Sequence, residues 1–271
     1  MTSSTLIKSF ERAKEDNRAA LLTYTVGGDP DKKTSLNIFK SIAEWGADII
    51  ECGLGHGANI GDGGAIQDST YRALSGGIKT DDIFEIIEEF KKDYETDVII
   101  MTYQNKIMAY GEEDFLKKCI SSKVSGIICV DWPWPLNLDF AKKCKESNIV
   151  FIQLLCPTTN EDRLKSILND AHEVVYYISM LSTTGQKLKV SSDEIKKRFN
   201  LIKKISPDKK CIIGFGITAD TINDFKDTDA CVVGSALCRE ITRSIDEELN
   251  PATNVGNMVT DLKQKLSSWI G

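Results

Sequence analysis

Glu51 and Asp62 are two carboxylates in settings that do not suit a carboxylate. Glu51 closes an apolar run, Asp48-Ile49-Ile50-Glu51-Cys52. Burying it as an ion would be costly, so its pKa should rise, which is what a general acid/base needs near neutral pH. The alternative is a structural glutamate paired with a lysine or capped by backbone amides. Eleven residues on, Asp62 sits within Gly61-Asp62-Gly63-Gly64-Ala65-Ile66-Gln67. Flanking glycines let the backbone come close to a ligand. The alternative is an Asp-Gly turn, or an N-cap for a helix over 65–75. Later come Gly214-Phe215-Gly216 and Gly234-Ser235. Glycines expose backbone N–H groups and Ser235 adds a hydroxyl, a combination suited to a phosphate at a helix N-terminus.

Other chemistries fit poorly. The two histidines, His56 and His172, have no carboxylate–histidine spacing suited to a catalytic metal. His56 lies in a glycine-rich loop and is expected to face solvent. No lysine lies near the end of the sixth run, Tyr176-Tyr177-Ile178-Ser179, to form a Schiff base, and no Gly-x-Ser-x-Gly is present. The eight cysteines form no CxxC pair and several lie in apolar runs, which points to reduced core thiols and a cytoplasmic setting. The net charge of −6, with both signs interspersed, argues against nucleic acid as a partner. The N-terminal residues lack an apolar h-region, so no signal peptide is expected, and no apolar run approaches membrane length.

Eight short, β-branched, non-alternating runs could position these residues: 20–24, 48–52, 98–101, 126–130, 149–154, 174–178, 211–215 and 230–233. Such runs suit strands buried on both faces of a parallel sheet. Amphipathic helices are predicted between them at 32–45, 80–94, 112–123, 137–147, 160–169, 192–204, 219–226 and 236–247. Two extra helices are predicted at 4–16 and 255–269. This alternation fits a doubly wound sheet or a closed barrel. No GxGxxG follows the first run, which disfavours a dinucleotide fold. The expectation is one α/β domain over 1–271, a (β/α)8 TIM barrel with extra helices at both termini. Its active site would lie at the C-terminal strand ends, with phosphate held after strands seven and eight.

Ala20–Pro30, Gly46–Gly53, Gly61-Asp62-Gly63 with Ile66-Gln67, Tyr103-Gln104-Asn105, Asp131-Trp132-Pro133, Cys156-Pro157, Thr184-Gly185, Gly214–Ile217 and Gly234-Ser235-Ala236 together resemble tryptophan synthase α subunits across nearly the whole chain. The resemblance implies retro-aldol cleavage of indole-3-glycerol phosphate to indole and glyceraldehyde 3-phosphate, with no metal or organic cofactor. It implies Glu51 as proton shuttle and Asp62 as the group polarising the indole N–H. It also implies phosphate on the amides of Gly185, Gly216, Gly234 and Ser235. The indole would lie among Tyr24, Met101, Val130, Leu155, Tyr176 and Phe215, positions equally suited to plain barrel core. A tryptophan synthase β subunit, in an α2β2 assembly, is the implied partner.

Two loops depart from the family. Gly55-His56-Gly57-Ala58-Asn59 replaces Pro-Phe-Ser-Asp-Pro, and Met180-Leu181-Ser182-Thr183 replaces Arg-x-Gly-x. Losing two prolines and gaining glycine raises the ordering cost of the first loop. Ala58 lacks the family's carboxylate. Both loops belong to closure and partner signalling, so other readings stay open: a lyase that releases indole alone, or a degenerate subunit that only binds and activates β. A different phosphosugar or prenyl-phosphate barrel is a further alternative.

Overall fold

Successive residues of a strand point to opposite faces, and here both faces are apolar because each meets a core of its own. The computed structural model describes backbone and side chains over 4–178, 191–214 and 217–267, and backbone alone over 180–183 and 186–189. The elements run α1 (Thr5–Glu15), β1 (Ala20–Val26), α2 (Lys32–Glu44), β2 (Ile49–Gly53), α3 (Gly64–Ser75), α4 (Thr80–Asp93), β3 (Asp97–Thr102), α5 (Gln104–Tyr110), α6 (Glu112–Ser121), β4 (Gly126–Cys129) and α7 (Leu138–Glu146). They continue with β5 (Val150–Phe151), β6 (Gln153–Leu155), α8 (Glu161–Asp170), β7 (Val174–Ile178), β8 (Met180–Thr183), β9 (Gln186–Lys189), α9 (Ser192–Ile205), β10 (Lys210–Gly214), a 3-10 turn at Ile222–Phe225, β11 (Ala230–Val233), α10 (Ser235–Asp246) and α11 (Pro251–Ser267).

The main sheet has the order β5-β4-β3-β2-β1-β11-β10-β7-β6, all parallel. β5 and β6 are halves of one strand interrupted at Ile152, so this order closes an eight-stranded barrel. Inside it pack Leu22, Tyr24, Ile49, Ile99, Met101 and Tyr176, with Leu6, Phe10 and Ala13 of α1 in the same cluster. The outward residues, among them Leu21, Ile50, Cys52 and Ile100, pack against the helices. This is the (β/α)8 barrel the sequence predicts, with α1 and α11 as the terminal additions.

Local chemistry sets the element ends. The Asp31 carboxylate accepts from Thr34 N at 2.9 Å and caps α2, and Gly46 at φ +107° lets the chain leave that helix. Ser191 and Glu194 form a capping box at α9.

Three elements differ from expectation. The helix predicted at 219–226 is a single 3-10 turn. There the Thr221 hydroxyl accepts from Thr218 N at 3.0 Å, an alternative partner that competes with a helical ladder. Helix α5, not predicted, has only seven residues and depends on the Asp131 carboxylate, which accepts from Gln104 N at 2.7 Å. The altered 180–183 loop is half of an antiparallel hairpin, Met180↔Lys189 to Thr183↔Gln186.

The eight cysteines are free, and all but Cys156 are buried. Among the described residues no helix is long and apolar enough to cross a membrane.

Candidate active site

β2 carries Glu51 into the barrel. Ile50 and Cys52 point to the helices, so Glu51 points inward beside Tyr24, its register partner on β1. Only 1% of Glu51 is exposed, and its Oε2 has no hydrogen-bond partner. Among the described residues no lysine or amide cap neutralises it, which speaks against the structural alternative. Burial, reinforced by the charge of Asp62, pushes its pKa to about 8. Two tyrosines frame it. The Tyr24 hydroxyl lies over Gly53 and the Tyr176 hydroxyl over Gly214, each so close that a Cβ on either glycine would collide with it. The charge of Glu51 helps raise the pKa of both phenols, after the larger effect of burial.

Asp62 ends the loop after β2. The N-cap of α3 is Gly63, with no side-chain cap, so Asp62 is not spent on capping. Burial pushes its pKa to about 6, while Asn59 and Tyr103 hold it lower than burial alone would. Asn59 Nδ2 and the Tyr103 hydroxyl are themselves buried without a well-formed hydrogen bond, so both lean on Asp62 through space rather than saturate it. The Gln67 amide fixes the turn by donating to Asp62 O at 3.1 Å.

The candidate phosphate seat is a true helix N-terminus. Gly234 is the N-cap of α10 and Ser235 its first residue, so the first-turn amides lack intrahelical acceptors. Gly234 is pressed against Tyr24: a Cβ there would meet the Tyr24 Cβ at 3.0 Å. A cleft of about 650 Å³ runs from Gly63 and Gly64 to Ser235 and on along Arg239 and Arg243. Glu51 is not on its wall. Gly185, Gly216 and Phe215 lie outside the described residues.

Met101 and Tyr176 belong to the inner cluster with Tyr24, and Val130 packs against it. Leu155 does not join them: it packs with the helices, as Phe151 does, and the inward positions of this strand are Val150, Ile152 and Leu154.

The sequence reading missed the clamp around Arg72. The Asp29 carboxylate, its side chain fully buried, accepts from Arg72 Nε at 2.9 Å and Nη2 at 2.8 Å. Arg72 also donates to the Ser69 and Thr242 hydroxyls at 3.1 and 2.8 Å, so one guanidinium ties α3, α10 and the β1 turn together. A lone arginine in a helix gives no sign of this in sequence. His56 is half-buried rather than solvent-facing, and His172 is a core histidine whose Nδ1 accepts from Phe151 N at 3.0 Å. No metal-binding group of His, Cys, Asp and Glu occurs among the described residues.

Known proteins with this arrangement decide the family. The family model for the tryptophan synthase alpha chain matches residues 10–267. The chain belongs to that family. The tryptophan synthase alpha chain of Pelagibacter ubique (strain HTCC1062) is 53% identical over 260 residues, covering 96% of this chain and 98% of the relative. Two crystal structures from Legionella pneumophila, a tryptophan synthase alpha chain and a tryptophan synthase subunit alpha, superpose with TM-scores of 0.86 and 0.88 at 27% and 26% identity. They cover 98% of this chain and 98% and 99% of their own. The family's reaction is a carbon–carbon lyase step of tryptophan biosynthesis, the retro-aldol cleavage of indole-3-glycerol phosphate.

Proposed function

We propose that Glu51 and Asp62 divide the work of this cleavage because their environments push their pKa values apart. With a pKa of about 8, Glu51 rests protonated at neutral pH, whereas Asp62, at about 6, is ionised. Glu51 gives its proton to the indole carbon bearing the side chain, while the Asp62 carboxylate accepts a hydrogen bond from the indole N–H and stabilises the indolenine. The Glu51 carboxylate then takes the proton of the neighbouring side-chain hydroxyl. The carbon–carbon bond breaks, its electron pair restores the indole, and the hydroxyl carbon leaves as the aldehyde of glyceraldehyde 3-phosphate. Glu51 ends as it began, so no cofactor is consumed.

The buried, unpaired Glu51 carboxyl beside Asp62 is the observation that carries this assignment. Tyr24, Met101, Val130 and Tyr176 shape the indole pocket. The phosphate sits on the amides of Gly234 and Ser235, with Gly185 and Gly216 as further amides. A β subunit docks on the face carrying the exposed side chains of Ile60, Met108 and Leu136, which are 92%, 54% and 73% exposed on the segments after β2, β3 and β4. The family and the eight free thiols support a cytoplasmic enzyme.

The test is indole release from indole-3-glycerol phosphate by the purified chain, with Glu51→Gln alongside and a β subunit added or omitted. Release should fall by about 10²–10⁴-fold in Glu51→Gln, as for loss of a general acid/base. Release should rise when β is added, and the two chains should co-purify at micromolar concentration. Glu51→Gln at parental rate sinks the assignment, and failure to associate sinks the β partner.

A further inference from the structure

The loop that carries Asp62 has little of its own to hold it. Gly55, Gly57, Gly61 and Gly63 leave the backbone unconstrained, no proline stiffens it, and a Cβ on Gly57 would touch nothing within 4 Å. Apart from the Gln67 amide on Asp62 O, its anchor is one side chain, His56. The His56 ring stacks on Tyr103, with centroids 5.0 Å apart and planes at 28°. Its Nδ1 accepts from Ala58 N at 3.0 Å, and its Nε2 lies 2.9 Å from Asn105 Oδ1. The Ala58 amide can only donate, so Nδ1 is the acceptor and Nε2 carries the hydrogen given to Asn105.

Both partners of the ring are rigid. Tyr103 is buried at the end of β3, and Asn105 is in the first turn of α5, which Asp131 caps. The effect reaches Asp62 by two routes. Tyr103 leans on the Asp62 carboxylate, and a Cβ on Gly61 would meet the Tyr103 hydroxyl at 3.3 Å, so loop and ring are in near contact. Along the backbone, the loop closes through Ile60 N to Ala58 O at 2.9 Å and Asp62 N to Asn59 O at 3.0 Å.

We propose that His56 is a positioning residue for the lyase reaction: it staples the β2–α3 loop to Tyr103 and Asn105 in its neutral, Nε2-protonated form and so fixes Asp62 before substrate arrives. This rests on the assignment of Asp62 above. The staple does for this loop what proline would do elsewhere, since ordering completed during folding is not charged against substrate binding.

The experiment measures kcat and KM of the purified full chain for His56→Ala, His56→Phe, Asn105→Ala and the His56→Ala/Asn105→Ala pair, with Glu51→Gln beside them. Amide hydrogen exchange of the loop is followed in the same variants without substrate. His56→Ala should lower kcat/KM by about tenfold, mainly through KM, because substrate must then order the loop. His56→Phe, which keeps the stack and loses both hydrogen bonds, should fall between. The double variant should lose no more than His56→Ala alone, because the two residues share one bond. Exchange at Ala58 and Asp62 should quicken in His56→Ala while that of the barrel strands stays constant, which separates a lost staple from a misfolded chain. Parental KM with parental exchange in His56→Ala overturns the staple, and so do fully additive losses in the pair. If Glu51→Gln retains parental release, the chemistry falls instead, and unchanged exchange at Ala58 would still overturn the staple by itself.

Discussion

At the N-terminal end of the barrel, Asp48 accepts from Arg18 at 2.6 and 2.9 Å, from Lys263 at 3.0 Å and from Leu21 N at 2.8 Å. Asp97 accepts from the Ser9 and Ser125 hydroxyls, and Asp229 from Lys203 at 3.0 Å and Cys211 N at 2.9 Å. Three residues beyond Asp48 on the same chain segment, Glu51 has an oxygen with no partner at all. Residues of one chemical type thus do opposite work at the two ends. Where carboxylates are surrounded by donors and cations they hold strands and helices together. Where donors are withheld, burial leaves a carboxyl whose proton is available near neutral pH. The position along the strand decides which, because only the C-terminal end opens to substrate.

The contrast is sharpest in what each end loses on mutation. Asp48→Ala leaves the buried Arg18 guanidinium with only the exposed Asp16 as a counter-charge and should cost about 3 kcal/mol in urea denaturation, with kcat of the folded fraction retained. A comparable loss of kcat with unchanged stability would erase the division between the ends.

The second expectation concerns pH. In free enzyme Asp62 must be ionised and Glu51 protonated, so kcat/KM should be bell-shaped with limbs near 6 and 8, the pair titrating as a unit. Asp62→Asn should remove the acidic limb. A flat profile between 5 and 9 would show that neither proton matters.

The smallest effect tests the cost of the unpaired carboxyl. The folded pKa of Glu51, about 8, lies above its ordinary 4.5, so the folded chain keeps a proton that the unfolded chain loses across that window. Its contribution to stability is therefore complete below about pH 4.5 and declines as pH rises towards 8. Glu51→Gln has no such proton to lose. Its melting temperature should exceed the parent's by several degrees at pH 8 and match it near pH 4.5. Equal melting at both pH values would mean that the folded chain stabilises the Glu51 carboxylate as well as water does.

Much of this is legible in the order of residues. Runs such as Val98–Met101 and Gly126–Cys129 have to be doubly buried strands, and Lys32–Glu44 and Thr80–Asp93 have to be amphipathic helices. Glu51 stands out because an ionisable group in such a run needs a reason. What stays hidden depends on partners distant in sequence. Helix α5 needs Asp131, 27 residues from Gln104, to satisfy its first amide. Leu155 turns outward because Val150, Ile152 and Leu154 take the inward positions, and the neighbouring strands decide which parity of a doubly apolar run faces the barrel interior. The 219–226 segment has helical periodicity, yet its threonines bond locally.

The order of residues therefore determined the β/α alternation and the strand carrying Glu51, since these follow from periodicity and from the cost of burying charge, whereas the pairing of Glu51 with Asp62 came from the resemblance to the family. Only the tertiary structure decided which carboxylates are neutralised. It also decided that Arg72 ties two helices to the β1 turn and that His56 packs on Tyr103 instead of facing water. Hydrogen bonds and charges act over a few ångströms, and closure of the barrel determines which residues come that near.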